Sequence, residues 1–189
     1  MKKFLVSLLF VLPLCCFAQK GTQGIGVNLG FETCFYITGY DDVLCCKNIP
    51  LSIEYHYNLT DRIRIAPHIG YISADEEENF NTNVFEGGLS LHYFLNGIKR
   101  FRPYLSGGAS VGGYNSVVYH PMIEITEVER IEYPLGSKYN GLFYGVDFGV
   151  GVDYKIGSNL SLQAEILARC SSLRDFLYFG PNIGLTYVF

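Results

Sequence analysis

Residues Leu142–Ile156 read LFYGVDFGVGVDYKI, and their spacing decides what kind of protein this is. Tyr144, Val146, Phe148, Val150, Val152 and Tyr154 alternate with Phe143, Gly145, Asp147, Gly149, Gly151 and Asp153. A helix would scatter the two sets around its circumference, whereas a strand sends successive side chains to opposite faces. The segment predicts a strand with an apolar face and a face dominated by glycine and carboxylate.

The same grammar recurs seven more times, over about 23–37, 49–59, 63–73, 84–95, 101–118, 160–170 and 178–189. Three connections are short: TDR (60–62), NGIKR (96–100) and GSN (157–159). The others are longer and more polar, including ADEEENFNTN (74–83) and HPMIEITEVERIEYPLGSKYN (120–140). Alternating short and long links predict eight antiparallel strands running up and down, with all short turns and both ends of the domain on one side.

Composition narrows the setting. The 189 residues are 49% hydrophobic and 17% charged, rich in Gly (21), Tyr (15) and Phe (14), and lack Trp. Beyond the N-terminus no apolar run approaches the ~20 residues of a spanning helix, so the hydrophobicity is carried by alternation. Residues 1–18 read as a secretory signal: Lys2 and Lys3, an apolar stretch Phe4–Leu14, then Cys16-Phe17-Ala18 before a cleavage site at Gln19. The alternative of a lipoprotein signal acylated at Cys15 or Cys16 fits less well, because Leu14 precedes the first cysteine. Removing the signal leaves 19–189 as one domain with net charge −6, and nothing basic suggests nucleic acid. Cys34, Cys45, Cys46 and Cys170 remain; an oxidising compartment permits a disulfide, and three complete pairings stay open.

Alternation alone does not say which face is inside. A secreted lipocalin-like barrel would turn its apolar face inward. The opposite face is crowded with glycine, which is poor decoration for a soluble exterior but suits a narrow lumen. We therefore expect an inverted barrel, apolar face to lipid, with girdles at the interfaces from Tyr36, Tyr57, Tyr71, Tyr93, Tyr104, Tyr154, Tyr178 and Tyr187. Closure follows, since only helices and closed barrels satisfy every backbone polar group in hydrocarbon.

The last residues, NIGLTYVF (182–189), place Asn182, Gly184, Tyr187 and Phe189 in the pattern polar–x–Gly–x–x–apolar–x–aromatic. With the signal sequence and eight strands, this chain resembles the small eight-stranded outer-membrane β-barrel family, akin to OmpX, the OmpA membrane domain and the PorT-like barrels. The resemblance covers about 19–189 and is one of architecture and end signal. It implies a multi-pass outer-membrane protein, surrounded by outer-membrane lipid and lipopolysaccharide, whose final strand addresses it to the barrel-assembly machinery. It implies short turns and both termini on the periplasmic side, and we expect no second, peptidoglycan-binding domain after Phe189.

An eight-stranded lumen is just wide enough for side chains to fill. The residues expected to meet there as a polar network are Glu32, Glu54, Arg64, His68, Glu86, Arg102, Asp147, Glu165 and Arg169, with Asp153 also inward. Counting back from the turns places Asp147 opposite Arg169, Glu54 beside His68 and Asn58 beside Arg64; one step of slippage would bring His56 to Arg64 instead. Such a network specifies a packed core or, as the functional alternative, lines a narrow ion path. A lipid A-modifying enzyme would need a Ser–His pair at the outer rim. Ser90 and His92 fall toward the opposite end, Ser171 and Ser172 lack a nearby His, and His120 lies in a loop, so we expect no catalysis. His56, His68 and His92 lie at different heights and are expected to be satisfied interior histidines, not a metal site. No cofactor motif is present.

The remaining expectation concerns the surface. Asp75, Glu76, Glu77 and Glu78, and Glu124, Glu127, Glu129 and Glu132, form acidic loops at the long-loop end. MIEITEVERIEY (122–133) carries enough Ile and Val to extend its flanking strands above the membrane. An exposed edge within 119–140 could then pair with an extracellular protein by strand addition.

Overall fold

A computed structural model describes residues 21–36, 47–76, 80–96, 99–119, 122–125, 130–172 and 176–189. Residues 1–18, expected to be a signal sequence, and Cys45, Cys46, Glu77, Glu78, Glu127 and Glu129 lie outside these, and the side chains of Asp75, Glu76, Glu124 and Glu132 are not described. The strands are β1 (Gln23–Gly30), β2 (Glu32–Tyr36), β3 (Lys47–Asn58), β4 (Ile63–Glu76), β5 (Phe80–Phe94), β6 (Phe101–Val118), β7 (Met122–Ile125), β8 (Arg130–Tyr133), β9 (Lys138–Lys155), β10 (Leu160–Ser171) and β11 (Phe176–Val188).

β1 and β2 are one wall strand interrupted at Phe31, so eight staves are built from nine elements, and all pair antiparallel with their neighbours. β1 pairs with β3 on one side and β11 on the other, which closes the sheet into a barrel. The interruption has a chemical cause. Phe31 N–H donates to Pro181 O at 2.9 Å, but Pro181 has no N–H to return. Register is continuous across the break, with Gly30 opposite Asn182 and Thr33 opposite Phe179.

The face assignment follows the expectation. Ile69, Phe85, Val111, Leu142, Tyr144 and Phe148 are each more than 60% exposed, whereas Asp153, His56 and Arg64 are almost fully buried. No helix occurs among the described residues. The short turns also match. Thr60 Oγ1 accepts from the backbone N–H of Arg62 and Ile63, at 3.2 and 3.0 Å. Ile156 N–H donates to Leu160 O at 2.9 Å across the GSN turn.

Three staves are taller at the long-loop end than their apolar alternation suggested. β4 continues to Glu76, β5 begins at Phe80 and β9 at Lys138. There the outward positions become Asn81, Asn83, Asn115 and Asn140, so the ladder persists where the hydrophobic pattern stops. Asn83 Nδ2 donates to Asn81 Oδ1 at 3.1 Å, Asn115 Nδ2 to Asn140 Oδ1 at 2.7 Å, and Tyr71 Oη to Asn83. The 122–133 stretch differs from expectation as well. β7 and β8 pair only with each other, as a separate hairpin, and do not lengthen β6 and β9. Pro134 to Ser137 forms a tight turn, with Ser137 N–H on Pro134 O at 3.1 Å and Gly136 at φ 77°, and it separates β8 from β9. That positive φ is the reason for glycine there.

Tyr104 and Tyr178 do not join a girdle. They are 2% and 4% exposed and share the parity of Arg102 and Gly180, which puts them inside. Tyr93, Tyr154 and Tyr187 do face outward. Cys170 carries a free, exposed thiol on the outer face, and the side chain of Cys34 is not among those described.

The seam between the first and last staves is tight. A Cβ on Gly180 would lie 1.9 Å from Phe31 O, a backbone atom that cannot move aside. Gly180→Ala is therefore expected to cost at least about 1–3 kcal/mol and to reduce the compact, heat-modifiable form on gels. Gly157→Ala, with nothing within 4 Å, is expected to leave it unchanged.

Candidate functional site in the lumen

The lumen is built by a pairing of large and absent side chains. Glu86 lies over Gly70, His68 over Gly88, Tyr104 over Gly151 and Tyr114 over Gly141, each reaching within 3.1 Å or less of where a Cβ would stand. Neighbouring staves therefore cannot both carry bulk at one level, which gives the inward glycines a direct packing role.

Nearest the short turns, Asp153 is fully buried and holds two guanidinium groups on one oxygen. Arg64 Nη2 lies 2.7 Å from Asp153 Oδ2 and Arg102 Nη2 lies 2.9 Å from it. Arg102 and Asp153 face each other in register across β6 and β9. Both guanidinium carbons also sit over the Phe94 ring, at 4.8 and 4.2 Å. Arg64 Nε donates to Asn58 Oδ1 at 3.1 Å, so Asn58 stands beside Arg64 as the turn count predicted. Side chains from β3, β4, β5, β6 and β9 thus cross this level together.

Above them, His92 stacks on Tyr104 with ring centroids 4.8 Å apart and planes 10° from parallel. His56 lies edge-on to His92 at 6.2 Å. The histidines were expected at different heights; a narrow lumen lets side chains meet across it, and His68 and His92 line one cavity of about 30 Å³ with Glu54, Asp147, Glu165 and Arg169. That is space for roughly two waters, and the Nδ1 atoms of His68 and His92 have no protein partner among the described residues. Ser90 and His92 are both buried in the lumen, away from any outward lipid surface. No group of three His, Cys, Asp or Glu side chains among the described residues is arranged to hold a metal.

Registers and contacts diverge in two places. Asp147 stands opposite Arg169, but the ion pair on Arg169 comes from Glu86, at 3.3 Å across the lumen. The reason is packing: the Asp147 carboxylate leans the other way, over Gly108. Glu54 is opposite His68, yet its carboxylate meets His56 Nε2 on its own strand at 2.9 Å. Glu165 accepts from Ser106 Oγ, and Ser110 Oγ donates to Glu86 at 2.8 Å. Glu32 is buried beside Arg169 in a smaller cavity of about 10 Å³. Toward the loops the lumen turns apolar, with Ile72, Val84 and Phe143 packed against Tyr114.

The inward aromatics Phe94 and Tyr104 were not anticipated, although their parity with His92 and Arg102 was the signal that could have found them. At the C-terminal end, Tyr187 and Phe189 face outward. Asn182 and Gly184 share the lumenal parity, and a Cβ on Gly184 would lie 1.7 Å from Asn28 Oδ1.

Removing one partner from a buried ion pair leaves an uncompensated charge and costs about 3–5 kcal/mol. Asp153→Ala strands two guanidinium groups and is expected to lose at least that much, read as urea-induced unfolding in lipid vesicles. Stability equal to the parent would show that the Arg–Asp–Arg contact is energetically idle.

Residues 4–189 match the family model described as "Outer membrane protein beta-barrel domain". Comparison with curated proteins gave no match. Among solved structures, neisserial surface protein A is similar at TM-score 0.63 and 16% identity, covering 88% of this chain and 97% of that one. Ail, the attachment invasion locus protein of Yersinia pestis, is similar at TM-score 0.54 and 14% identity, covering 90% and 100%. At such identities the likeness is one of fold.

Proposed function

Because the chain belongs to the outer membrane protein β-barrel domain family, we propose that it acts as a surface-interaction protein of the outer membrane. A packed barrel anchors strand extensions that an extracellular partner recognises. The observation that carries this reading is the uneven height of the wall. β6 and β9 are 18 residues long, β10 only 12, and the β7–β8 hairpin stands between β6 and β9 as a separate sheet. The last bonds between β9 and β10 run from Ser172 N–H to Tyr144 O at 2.9 Å and from Tyr144 N–H to Ser172 Oγ at 3.0 Å. Beyond them, no strand among the described residues flanks Lys138–Leu142 on that side. An open backbone edge of this kind favours strand addition. The orientation that goes with this reading puts the short turns and both termini in the periplasm, where the outward Tyr187 and Phe189 would serve the barrel-assembly machinery as an address.

Deleting 122–133 together with Asn140→Pro, which removes an N–H from the open edge of β9, is expected to abolish cross-linking to a surface partner on intact cells while the barrel still inserts and keeps its heat-modifiable mobility. Unchanged cross-linking would overturn the reading.

The lumen supports an anchor over a narrow channel. Cavities among its described residues measure about 30 and 10 Å³, and the Arg64–Asp153–Arg102 contact crosses it below them. Planar bilayers carrying the purified protein are expected to stay at the noise floor; stable unitary steps would restore the channel alternative. Ser90 and His92, both enclosed, with His92 stacked on Tyr104, likewise support a non-catalytic role, and an altered lipid A mass in cells carrying the protein would contradict it.

A further inference from the structure

We propose that Arg62, Lys99, Arg100 and Lys155, at the short-turn end, form a docking arc for the headgroups of anionic phospholipid in the surrounding membrane. Charge is segregated along this barrel. The acid runs Asp75–Glu78 and Glu124–Glu132 belong to the long-loop end. The described short-turn segments carry these four cations against a single acidic side chain, Asp61.

Backbone bonds make the four contiguous. Phe94 N–H donates to Arg62 O at 2.7 Å, which places the β3–β4 turn at the foot of β5. Lys155 N–H donates to Arg100 O at 2.8 Å, and Arg100 Nε donates to Lys155 O at 3.1 Å, which joins the foot of β6 to that of β9. The feet of β10, β11 and β1 carry none of these cations; there Phe189 N–H bonds Gln23 O at 2.9 Å. Among the described residues, positive charge at this end therefore occupies one part of the circumference.

The height of the arc identifies its ligand. The Arg100 guanidinium carbon sits 5.2 Å over the Tyr154 ring, and Tyr154 is the last aromatic of the outward face of β9, opposite the outward Phe101. A cation one step beyond an interfacial tyrosine lies at headgroup level. Arg62, Lys99 and Arg100 are exposed, and among the described residues none of the four is held in an ion pair. Guanidinium and ammonium groups suit a phosphodiester, and each cation near an anionic surface contributes roughly five-fold to binding.

The test uses the full barrel in phosphatidylcholine vesicles with spin-labelled phosphatidylglycerol or spin-labelled phosphatidylcholine, comparing the motionally restricted fraction of each. The expected result is a preference for phosphatidylglycerol of at least roughly five-fold, the contribution of one cation, that falls toward unity in high salt. R62Q/R100Q and K99Q/K155Q should each reduce it, and K138Q at the opposite end should not. Arg62, Lys99, Arg100 and Lys138 are exposed and Lys155 is half-buried at the end of its strand, and gel mobility before and after heating verifies each fold. The salt titration needs no variant. Equal restriction of the two lipids, a preference that survives both double variants, or an equal loss in K138Q would overturn the proposal. So would binding of soluble polyglutamate at the arc without lipid preference, which would assign it to a soluble polyanion. Because vesicle lipid is symmetric, the outcome does not depend on which end faces the periplasm or on the surface-interaction reading.

Discussion

Backbone amides inside hydrocarbon have no water to fall back on, and this constraint organises the molecule. It forces the sheet to close, so β1 must meet β11 as well as β3. Closure tolerates one lost bond, at Pro181, because Phe31 still donates and the register on both sides is unchanged. It does not tolerate bulk at the same place, where Phe31 O occupies the space a side chain on Gly180 would need.

Closure of so few staves creates the second problem, a lumen too narrow for neighbouring large residues. The alternation of glycine with His, Glu and Tyr across the staves is the solution. It lets charged groups be buried, provided that they meet one another. Asp153 accepts two arginines whose flat faces also lie on Phe94. The same economy of space sends Asp147 over Gly108, leaving Arg169 to reach Glu86.

Much of this was legible because β-structure writes its two faces into the parity of the chain. Eight segments, the three short turns and the division of most residues between two faces follow from alternation, and the glycine crowding one face marks it as the inner one. What escaped had physical reasons. The tops of β4, β5 and β9 lie where Asn replaces apolar residues outward, so hydrophobicity stopped marking a ladder that hydrogen bonding continues. Phe94, Tyr104 and Tyr178 are apolar in composition but lumenal in parity, and the girdle expectation followed composition for the two tyrosines. Registers such as Asp147–Arg169 were counted correctly from the turns. Which acid a long arginine reaches depends on free volume across the lumen, and a linear pattern does not encode it.

The wall of unequal height gives the barrel a heading. Here the β5–β6–β9 sector lifts amides and, among the described residues, an unpaired stretch of β9 clear of the apolar band, whereas β10 stops at Ser171 with Cys170 and Phe179 still facing outward. A neighbour diffusing in the plane of the membrane meets a different chemistry according to the bearing of its approach. Rotation about the membrane normal thereby becomes part of molecular recognition, as much as distance or depth.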